Sequence, residues 1–194
     1  MRYNELTFQG RNAVLEAFRS GKTIDKLFIL DGCQDGPIKS IVREAKKTDA
    51  IINYVDKERL DRLAGTGHHQ GVVAIGAAYE YAEVEDILAA AKEKGEDPFI
   101  FILDEIEDPH NLGAIIRTAN LAGAHGVIIP KRRAVGLTAT VAKTSAGAIN
   151  YTPVAKVTNI SQTIEELKKQ GLWFVCADMG GETMYNLCLL YTSD

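Results

Sequence analysis

Short runs of bulky apolar residues alternate with amphipathic stretches along this chain, and the alternation predicts an α/β fold. In the first eighty residues the pattern predicts helices at 10–20, 38–48 and 57–64 and strands at 26–30, 51–55 and 71–77. Further strands are expected at 99–103, 127–130 and 172–177. Because helical patterns separate these three, we expect them to pair in parallel.

The first strand of this second unit passes into a helix through polar residues of fixed type. Asp108 and Pro109 end the strand, and Asn111 stands where we expect the helix N-cap. At a rotation of about 100° per residue, Gly113, Arg117 and Asn120 share one outward stripe. A glycine one turn before an arginine leaves room for a ligand, and a helix start offers free N–H groups to an anion. The alternative is an arginine paired to Asp108.

The charges are segregated along the chain, although the formal net charge is only −4. Between 80 and 108 there are eleven acids and two lysines, whereas no acid occurs between 109 and 164. That second stretch contains six basic residues, namely Arg117, Lys131, Arg132, Arg133, Lys143 and Lys156. Such segregation favours a positive surface for a nucleic-acid backbone. The alternative for 131–133 is a solvated loop.

The predicted first helix begins with Gly10, Arg11 and Asn12, a combination suited to binding a phosphate. The alternative is that Asn12 only caps the helix. The 194 residues suffice for one large or two small domains. We expect a cytoplasmic protein, because the three cysteines form no paired motif and no apolar run could span a membrane.

Other candidate motifs do not match the binding sites that they suggest. The glycine-rich stretch 65–71 precedes a strand, so it does not fit a dinucleotide site, and no phosphate-binding lysine loop occurs. His68 and His69 have no further ligand at metal spacing, so we predict a loop role and no metal. His125 lies in a Gly-Ala-His-Gly turn, and we predict that it is structural.

Five segments carry a shared set of motifs: Gly-Arg-Asn-Ala-Val-Leu-Glu-Ala at 10–17, His-Gln-Gly-Val-Val-Ala at 69–74, the run at 103–119 containing Asp-Pro-His-Asn-Leu-Gly-Ala, Gly-Ala-His-Gly-Val-Ile-Ile-Pro-Lys at 123–131, and Lys-Thr-Ser-Ala-Gly-Ala at 143–148. Together they strongly resemble the SpoU (TrmH-like) RNA ribose 2′-O-methyltransferases. Within that family the chain is most similar to members that methylate a guanosine ribose in large-subunit (23S) ribosomal RNA.

The resemblance implies a ribosomal-protein-like RNA-binding domain at 1–79, an acidic linker with a solvated helix at 80–97, and a partial SPOUT domain at 98–187. A SPOUT domain is an α/β domain with a mostly parallel sheet and a trefoil knot that holds S-adenosylmethionine. Residues 188–194 match nothing in the family and are expected to be a non-native tail. The family acts as a homodimer, without a metal or a membrane.

The same resemblance assigns roles to individual residues. Arg117 corresponds to the catalytic arginine, and Asn111 is expected to brace it or the neighbouring loop. The residues expected to contact RNA are Arg11, Asn12, His110, Lys131, Arg132, Arg133 and Lys143. The residues expected to contact the cofactor are Ala177, Asp178, Met179 and Gly180.

The family's later motifs are not found after residue 187, so we expect this chain to lack most of the cofactor site. We therefore predict that it binds S-adenosylmethionine weakly or not at all and is inactive alone. Three alternatives remain: a tRNA ribose methyltransferase of the same family, an RNA-binding module without catalysis, or an enzyme acting on a small molecule.

Overall fold

The computed structural model describes residues 6–48, 50–65, 68–177 and 181. It divides into two compact units, Met1–Ile160 and Ser161–Asp194. Two β-sheets with covering helices form the first unit, which confirms the predicted α/β class.

The first sheet and its helices follow one another as β1 (Leu6–Gln9), α1 (Arg11–Arg19), β2 (Ile24–Leu30), α2 (Gly36–Lys47), β3 (Ile51–Val55), α3 (Lys57–Ala64) and β4 (Val72–Gly76). The strand order is β1-β4-β2-β3, in which β2 and β3 are parallel and the other pairs are antiparallel. All six elements predicted in this region are present. The short strand β1 was not predicted.

Both faces of this sheet are covered, as the alternation of side chains along β2 requires. Leu27 and Ile29 point into a core shared with α1 and α2. Phe28, between them, packs on the opposite face against Leu60 of α3. Aspartates cap two of the helices: Asp35 accepts a hydrogen bond from the Ile38 N–H, and Asp56 accepts one from the Arg59 N–H.

The second sheet region contains α4 (Val84–Lys94), β5 (Ile100–Ile102), α5 (Pro109–Leu121), β6 (Gly126–Pro130), α6 (Ala139–Thr144), a 3-10 turn (Ala148–Asn150) and β7 (Val154–Val157). The helix α7 (Ile160–Lys169) follows in the chain and, apart from its first residue, belongs to the second unit. The strand order is β5-β6-β7, and both pairings are parallel, which confirms the expected parallel sheet and the predicted pairing of β5 with β6.

The third strand of this sheet is β7 and not 172–177, which adopts no strand in the described structure. The sequence of β7, Val-Ala-Lys-Val, is short and contains a lysine, so its apolar pattern is weak. The later run is more apolar, but Trp173 and Val175 are exposed. Apolar content alone therefore pointed to the wrong segment.

The central strand β6 is buried along its whole length, because helices cover both faces. Val127 and Ile129 pack in a core with Leu112 and Ile116 of α5. A Cβ at Gly126 would lie 2.5 Å from Cδ1 of Ile87 in α4, so this glycine admits close packing of that helix. The prediction of a solvated helix in 80–97 is therefore wrong, since Ile87 is fully buried.

Candidate functional site

The passage from β5 into α5 is a tight corner capped by an acid. The Asp108 Oδ1 accepts a hydrogen bond of 2.7 Å from the backbone N–H of His110. Pro109 occupies the first helical position, where its missing N–H costs no intrahelical bond. The prediction that Asn111 caps this helix is therefore wrong, because Asn111 already lies within the first turn.

Arg117 lies on the exposed side of α5. Its side chain forms no hydrogen bond or ion pair with any residue in the described part of the chain. Arg117 does not pair with Asp108, so that alternative is wrong. Since guanidinium remains protonated in proteins, this face of α5 carries a full positive charge that is open to solvent.

Gly113 has a different role from the one predicted. It is buried, and a Cβ at this position would lie 1.9 Å from the Thr144 Oγ1 and 3.0 Å from the Ser145 backbone nitrogen. The glycine therefore lets α6 pack against α5 and does not leave open space for a ligand. The outward stripe predicted for Gly113, Arg117 and Asn120 is correct only for Arg117, since Asn120 is half-buried and donates to the Thr152 Oγ1.

Asn111 and His110 both lie exposed at the start of α5. The expected contact between Asn111 and Arg117 is not formed among the described residues. Six residues of helix rotate the chain by about 600°, which places the two side chains about 120° apart around the axis. Asn111 therefore does not share the face of α5 that carries Arg117.

The basic loop after β6 is partly neutralised. Arg133 forms an ion pair of 2.9 Å with Glu105, and its φ of 57° places it in the left-handed region. Arg132 is exposed, and Lys131 is half-buried. The Lys131 backbone N–H donates to the Val157 carbonyl, which ties the loop to β7.

Lys143 stands exposed on α6, next to Thr144, the residue that contacts Gly113. Arg117 follows Gly113 by one helical turn, so the two cations originate on neighbouring helices near their contact. Lys156, counted in the same acid-free stretch, does not contribute to this surface. Its side chain is only 15% exposed, and its Nζ donates to Asp25. The predicted positive surface therefore loses one of its six cations.

The start of α1 forms a second corner, at which Arg11 is held by several contacts. Its backbone N–H donates to the Gln70 Oε1 over 3.2 Å and its Nε to the Gln70 carbonyl over 3.1 Å. Its guanidinium forms an ion pair with Asp35. Neither partner was predicted, although Gln70 belongs to the motif at 69–74 and Asp35 is a helix N-cap.

Gly10, and not Asn12, is the N-cap of α1, with a φ of 88° and no side-chain cap. The alternative in which Asn12 only caps the helix is therefore wrong, and its side chain is exposed. Beside it lies an open cleft of about 620 Å³. The residues lining the cleft are Arg11, Asn12, Leu30, Cys33, Pro37, Gln70 and Gly71.

The two buried histidines are structural. The Gly71 N–H donates to Nδ1 of His69, so the neutral ring donates from Nε2 to Asp61 over 2.9 Å. His125 likewise accepts from the Phe99 N–H and contacts Glu96, which confirms its predicted role.

Among the described residues, no three His, Cys, Asp or Glu side chains converge as a metal site would require. No helix in the same part of the chain has the length and apolarity needed to cross a bilayer.

The predicted cofactor loop lies mostly outside the described residues. Ala177 is exposed and follows no strand, while Asp178, Met179 and Gly180 are not among the residues described.

Two family models match the chain. The model described as the SpoU rRNA methylase family matches residues 98–192. The model described as RNA 2′-O ribose methyltransferase substrate binding matches residues 9–82.

The chain is also similar to solved structures, although with low overall superposition. An AdoMet-bound rRNA methyltransferase from Sinorhizobium meliloti is 23% identical, with a TM-score of 0.39, over 84% of this chain and 58% of that one. The AdoMet complex of the SpoU methyltransferase AviRb from Streptomyces viridochromogenes is 18% identical, with a TM-score of 0.42, over 86% and 59%. The chain therefore spans less than two thirds of these structures.

Sequence relatives give a closer match. YacO of Bacillus subtilis (strain 168), whose name places it among TrmH family tRNA/rRNA methyltransferases, is 54% identical over 87% of this chain and 68% of its own length. A protein of Staphylococcus haemolyticus with the same family name is 47% identical over 93% of this chain and 72% of its own length. The chain belongs to the SpoU/TrmH family of tRNA/rRNA methyltransferases, and its N-terminal part is that family's substrate-binding domain.

Proposed function

We propose that this chain is the RNA-binding and hydroxyl-activating part of an enzyme that methylates the ribose 2′-hydroxyl of a guanosine in 23S ribosomal RNA. The observation that carries this proposal is the exposed Arg117 guanidinium, which has no partner among the described residues. It stands on a helix inside the region matched by the methylase model. A buried arginine could not reach an RNA, and one paired with an acid would offer it little net charge.

The proposed chemistry follows from what a ribose hydroxyl needs. The hydroxyl is a weak nucleophile, and negative charge develops on its oxygen as the methyl group is transferred. Arg117 stays protonated, so it does not act as a base. It instead binds the adjacent phosphate and stabilises the oxygen, while a phosphate oxygen or water accepts the hydroxyl proton. The guanidinium's paired N–H groups suit contact with two oxygens at once.

S-adenosylmethionine is the proposed methyl donor and supplies an electrophilic sulfonium methyl group when bound. Of the proposed donor loop at 177–180, only Ala177 is among the described residues, and it is exposed and follows no strand. Calorimetry of this chain with S-adenosylmethionine is expected to give no low-micromolar binding, and such binding would overturn this part of the proposal.

Two surfaces are proposed to contact RNA. In the domain proposed at 1–79, Arg11 and Asn12 line the open cleft beside α1. In the domain proposed at 98–187, the contacts are the half-buried Lys131 and the exposed side chains near α5 and in the loop after β6. These are His110, Arg117, Lys131, Arg132, Arg133 and Lys143. The segment 80–97 is proposed to connect the two domains.

A homodimer is part of the same proposal, because the family resemblance implies one. Light scattering of the purified chain measures its mass, and a monomer at all concentrations would remove the dimer from the proposal.

The names of the relatives join tRNA and rRNA, so a tRNA ribose is the second candidate substrate. An RNA-binding role without catalysis is the third, and the match of residues 9–82 to a substrate-binding model favours it. Salt-dependent RNA binding without any methyl transfer would support that third candidate.

In the deciding experiment, the enzyme is incubated with labelled S-adenosylmethionine and either 23S rRNA or total tRNA. Because this chain spans 68% of the Bacillus subtilis relative, the assay uses a version extended to that relative's length. We expect label in the 23S rRNA, recovered after nuclease digestion as 2′-O-methylguanosine. Label recovered only from tRNA would replace the substrate, and label recovered on a base would exclude ribose chemistry.

A further inference from the structure

A buried polar cluster joins the two sheets of the first unit, and the proposed chemistry does not use it. The cluster consists of Asp25 in β2, Tyr81 in the connector 77–83, and Lys156 in β7. The Lys156 Nζ donates to the Asp25 Oδ1 over 2.5 Å, and the Tyr81 hydroxyl donates to the Asp25 Oδ2 over 3.1 Å. The Asp25 and Lys156 side chains are only 6% and 15% exposed.

In both sheet regions, the backbone around the cluster leaves room for these side chains. Asp25 lies at an irregularity in the pairing of β2 with β4, between Ile24 and Lys26. Such bulges redirect a side chain away from the regular alternation of a strand. A Cβ at Gly136 would lie 2.2 Å from the Asp25 Oδ2, so only glycine leaves room for the carboxylate.

Every polar group of the cluster has a partner. The Tyr81 hydroxyl accepts a hydrogen bond of 2.8 Å from the Leu137 N–H, and its ring lies 4.1 Å below the Lys156 ammonium. Burial lowers the pKa of Lys156, and the neighbouring Asp25 opposes that shift. Burial and Asp25 together raise the pKa of Tyr81. Removing one member would leave a buried charge or donor unpaired, so the three act as a set.

The connector is also joined to both sheets through its backbone. The Ala77 N–H donates to the Thr23 carbonyl, which immediately precedes β2. The N–H groups of Ala78 and Ala82 donate to the carbonyls of Leu137 and Val154 in the second sheet region. Each of these three hydrogen bonds is 2.9 Å long. The connector is therefore not a free linker at this end.

We propose that Asp25, Tyr81 and Lys156 form a latch that fixes the first sheet relative to the second, and thereby sets the distance on an RNA between the Arg11 cleft and Arg117. The three are positioning residues and touch no substrate. A buried ion pair is a poor source of stability compared with apolar packing, whereas it fixes one arrangement by penalising all others. The RNA part of this inference rests on the proposed function.

A fixed spacing has a measurable consequence for RNA binding. When two contacts on one molecule are held at the correct separation, the second contact forms at a high effective concentration. An RNA long enough to reach both surfaces gains from the latch, and a shorter RNA does not. Loss of the latch therefore changes how affinity depends on RNA length, and leaves each separate surface intact.

The first test needs no RNA. Spin labels are placed at the exposed positions Lys39 and Ala122, in a chain whose native cysteines are replaced by serine, and their distance distribution is measured. We expect Lys156→Met and Asp25→Asn to broaden it severalfold. The control Lys47→Met, which removes one lysine from the exposed pair with Glu44, should not broaden it. An equally narrow distribution in Lys156→Met would overturn the latch.

Tyr81→Phe covers the case in which the charge variants do not fold. It keeps the ring below Lys156 and removes only the hydroxyl, so we expect a folded protein with a smaller broadening. An unchanged distribution in this variant, if the charge variants are unfolded, would also overturn the latch.

The second test measures affinity for 23S rRNA hairpins of increasing length. We expect the native chain to gain at least about tenfold once the RNA reaches both surfaces, and Lys156→Met to lose that gain while Lys47→Met keeps it. If the gain persists in Lys156→Met while the distance distribution broadens, the latch does not set the RNA spacing. If no hairpin binds the native chain, the proposed function fails, and the latch is still decided by the label distances.

Discussion

Arg11 and Arg117 both stand on helices that follow a strand, but they differ in how far each guanidinium is already bound. Arg11 is anchored by Gln70 and paired with Asp35 at the start of α1. Arg117 projects from the third turn of α5 and has no partner among the described residues. The same side chain is thus held and partly neutralised at one corner, and is left charged and free at the other.

This difference separates two functions of an arginine in RNA recognition. A tethered guanidinium loses little conformational entropy when an RNA arrives, so it is suited to fixing the position of a backbone. A free guanidinium keeps its whole charge for an oxygen that becomes negative during reaction. We therefore expect Arg11 to act on affinity and Arg117 to act on the rate of transfer.

The sharpest test of this difference is Arg117→Ala in the extended protein. We expect the rate of methyl transfer in a single turnover to fall by about 10²- to 10³-fold, because the developing oxyanion loses its cation. RNA affinity should change much less. Since the side chain is exposed, the free energy of unfolding should change by less than about 0.5 kcal/mol.

Arg117→Lys and Arg19→Lys complete this experiment. Lysine keeps the charge but loses the paired N–H groups, so Arg117→Lys should recover only part of the rate. Arg19 is exposed at the end of α1, and its replacement should have no effect. Near-normal turnover of Arg117→Lys would show that two-point contact is not what the step needs.

The packing of α5, the helix that carries Arg117, against α6 can be tested at Gly113. An alanine there favours the helix by about 1 kcal/mol, yet its Cβ would overlap Thr144 of α6. Overpacking of this kind costs about 1–3 kcal/mol, so we expect Gly113→Ala to lower the free energy of unfolding in urea. A lower transfer rate should accompany it, because α5 is displaced.

Gly36→Ala is the matched control, since a Cβ at Gly36 meets nothing within 4 Å. Adding Thr144→Ala to Gly113→Ala should restore part of the lost stability, because the overlapping hydroxyl is removed. If Gly113→Ala were as stable as Gly36→Ala, the close approach of α5 and α6 would not be what requires this glycine.

The corner at the start of α1, where Arg11 is anchored, is tested by replacing Asp35, the acid that neutralises Arg11. Asp35→Asn keeps an oxygen that can cap α2 but removes the negative charge. An exposed ion pair is worth about 0.2–1 kcal/mol, so we expect RNA affinity to rise about 1.5- to fivefold at low salt. The change should fade as salt is added.

Asp56→Asn provides the control, because Asp56 caps α3 in the same way but forms no ion pair among the described residues. It should leave RNA affinity unchanged. Lower affinity in Asp35→Asn would mean that the acid orients Arg11 for RNA more than it competes with RNA.

The fold was largely predictable from the sequence because local signals agreed with one another. Aspartates preceded helices, and apolar runs of strand length lay between them. The strand β7 was missed because one of its four residues is Lys156, which is buried only through its pairing with Asp25. Asp25 lies 131 positions earlier in the chain, and no local sequence pattern indicates a partner so far away in sequence.

The candidate site was predictable only in part, for a similar reason. The motif made Arg117 a candidate site residue, and the helical stripe predicted that its side chain is exposed. The role of Gly113 did not, because the atom that requires a glycine belongs to Thr144 on another helix. The partners of Arg11 were likewise set by the fold, which brings Gln70 and Asp35 to the same corner.

Arg11 and Arg117 keep a fixed separation only if the two sheets do not move relative to each other. The pH dependence of the Tyr81 contribution to stability tests whether its hydroxyl is sealed between the sheets. Its pKa is raised above the ordinary value of 10.0 by burial and by Asp25. The folded state therefore holds a proton that the unfolded state releases above about pH 10. The stabilising contribution of this hydroxyl is complete below pH 10 and is lost as the pH rises further.

The measurement is the difference in free energy of unfolding between the native chain and Tyr81→Phe, from urea titrations between about pH 7 and pH 11. The hydroxyl's buried hydrogen bonds should make that difference about 1–3 kcal/mol at pH 7, with a decline above pH 10. Lys156 has a lowered pKa, which makes stability rise with pH below 10.5, but both proteins contain it and its effect largely cancels. Tyr54→Phe, at an exposed tyrosine, should show no difference at pH 7. A difference for Tyr81→Phe that grows above pH 10 would mean that the folded protein accepts the ionised phenol, and that the hydroxyl is not sealed between the sheets.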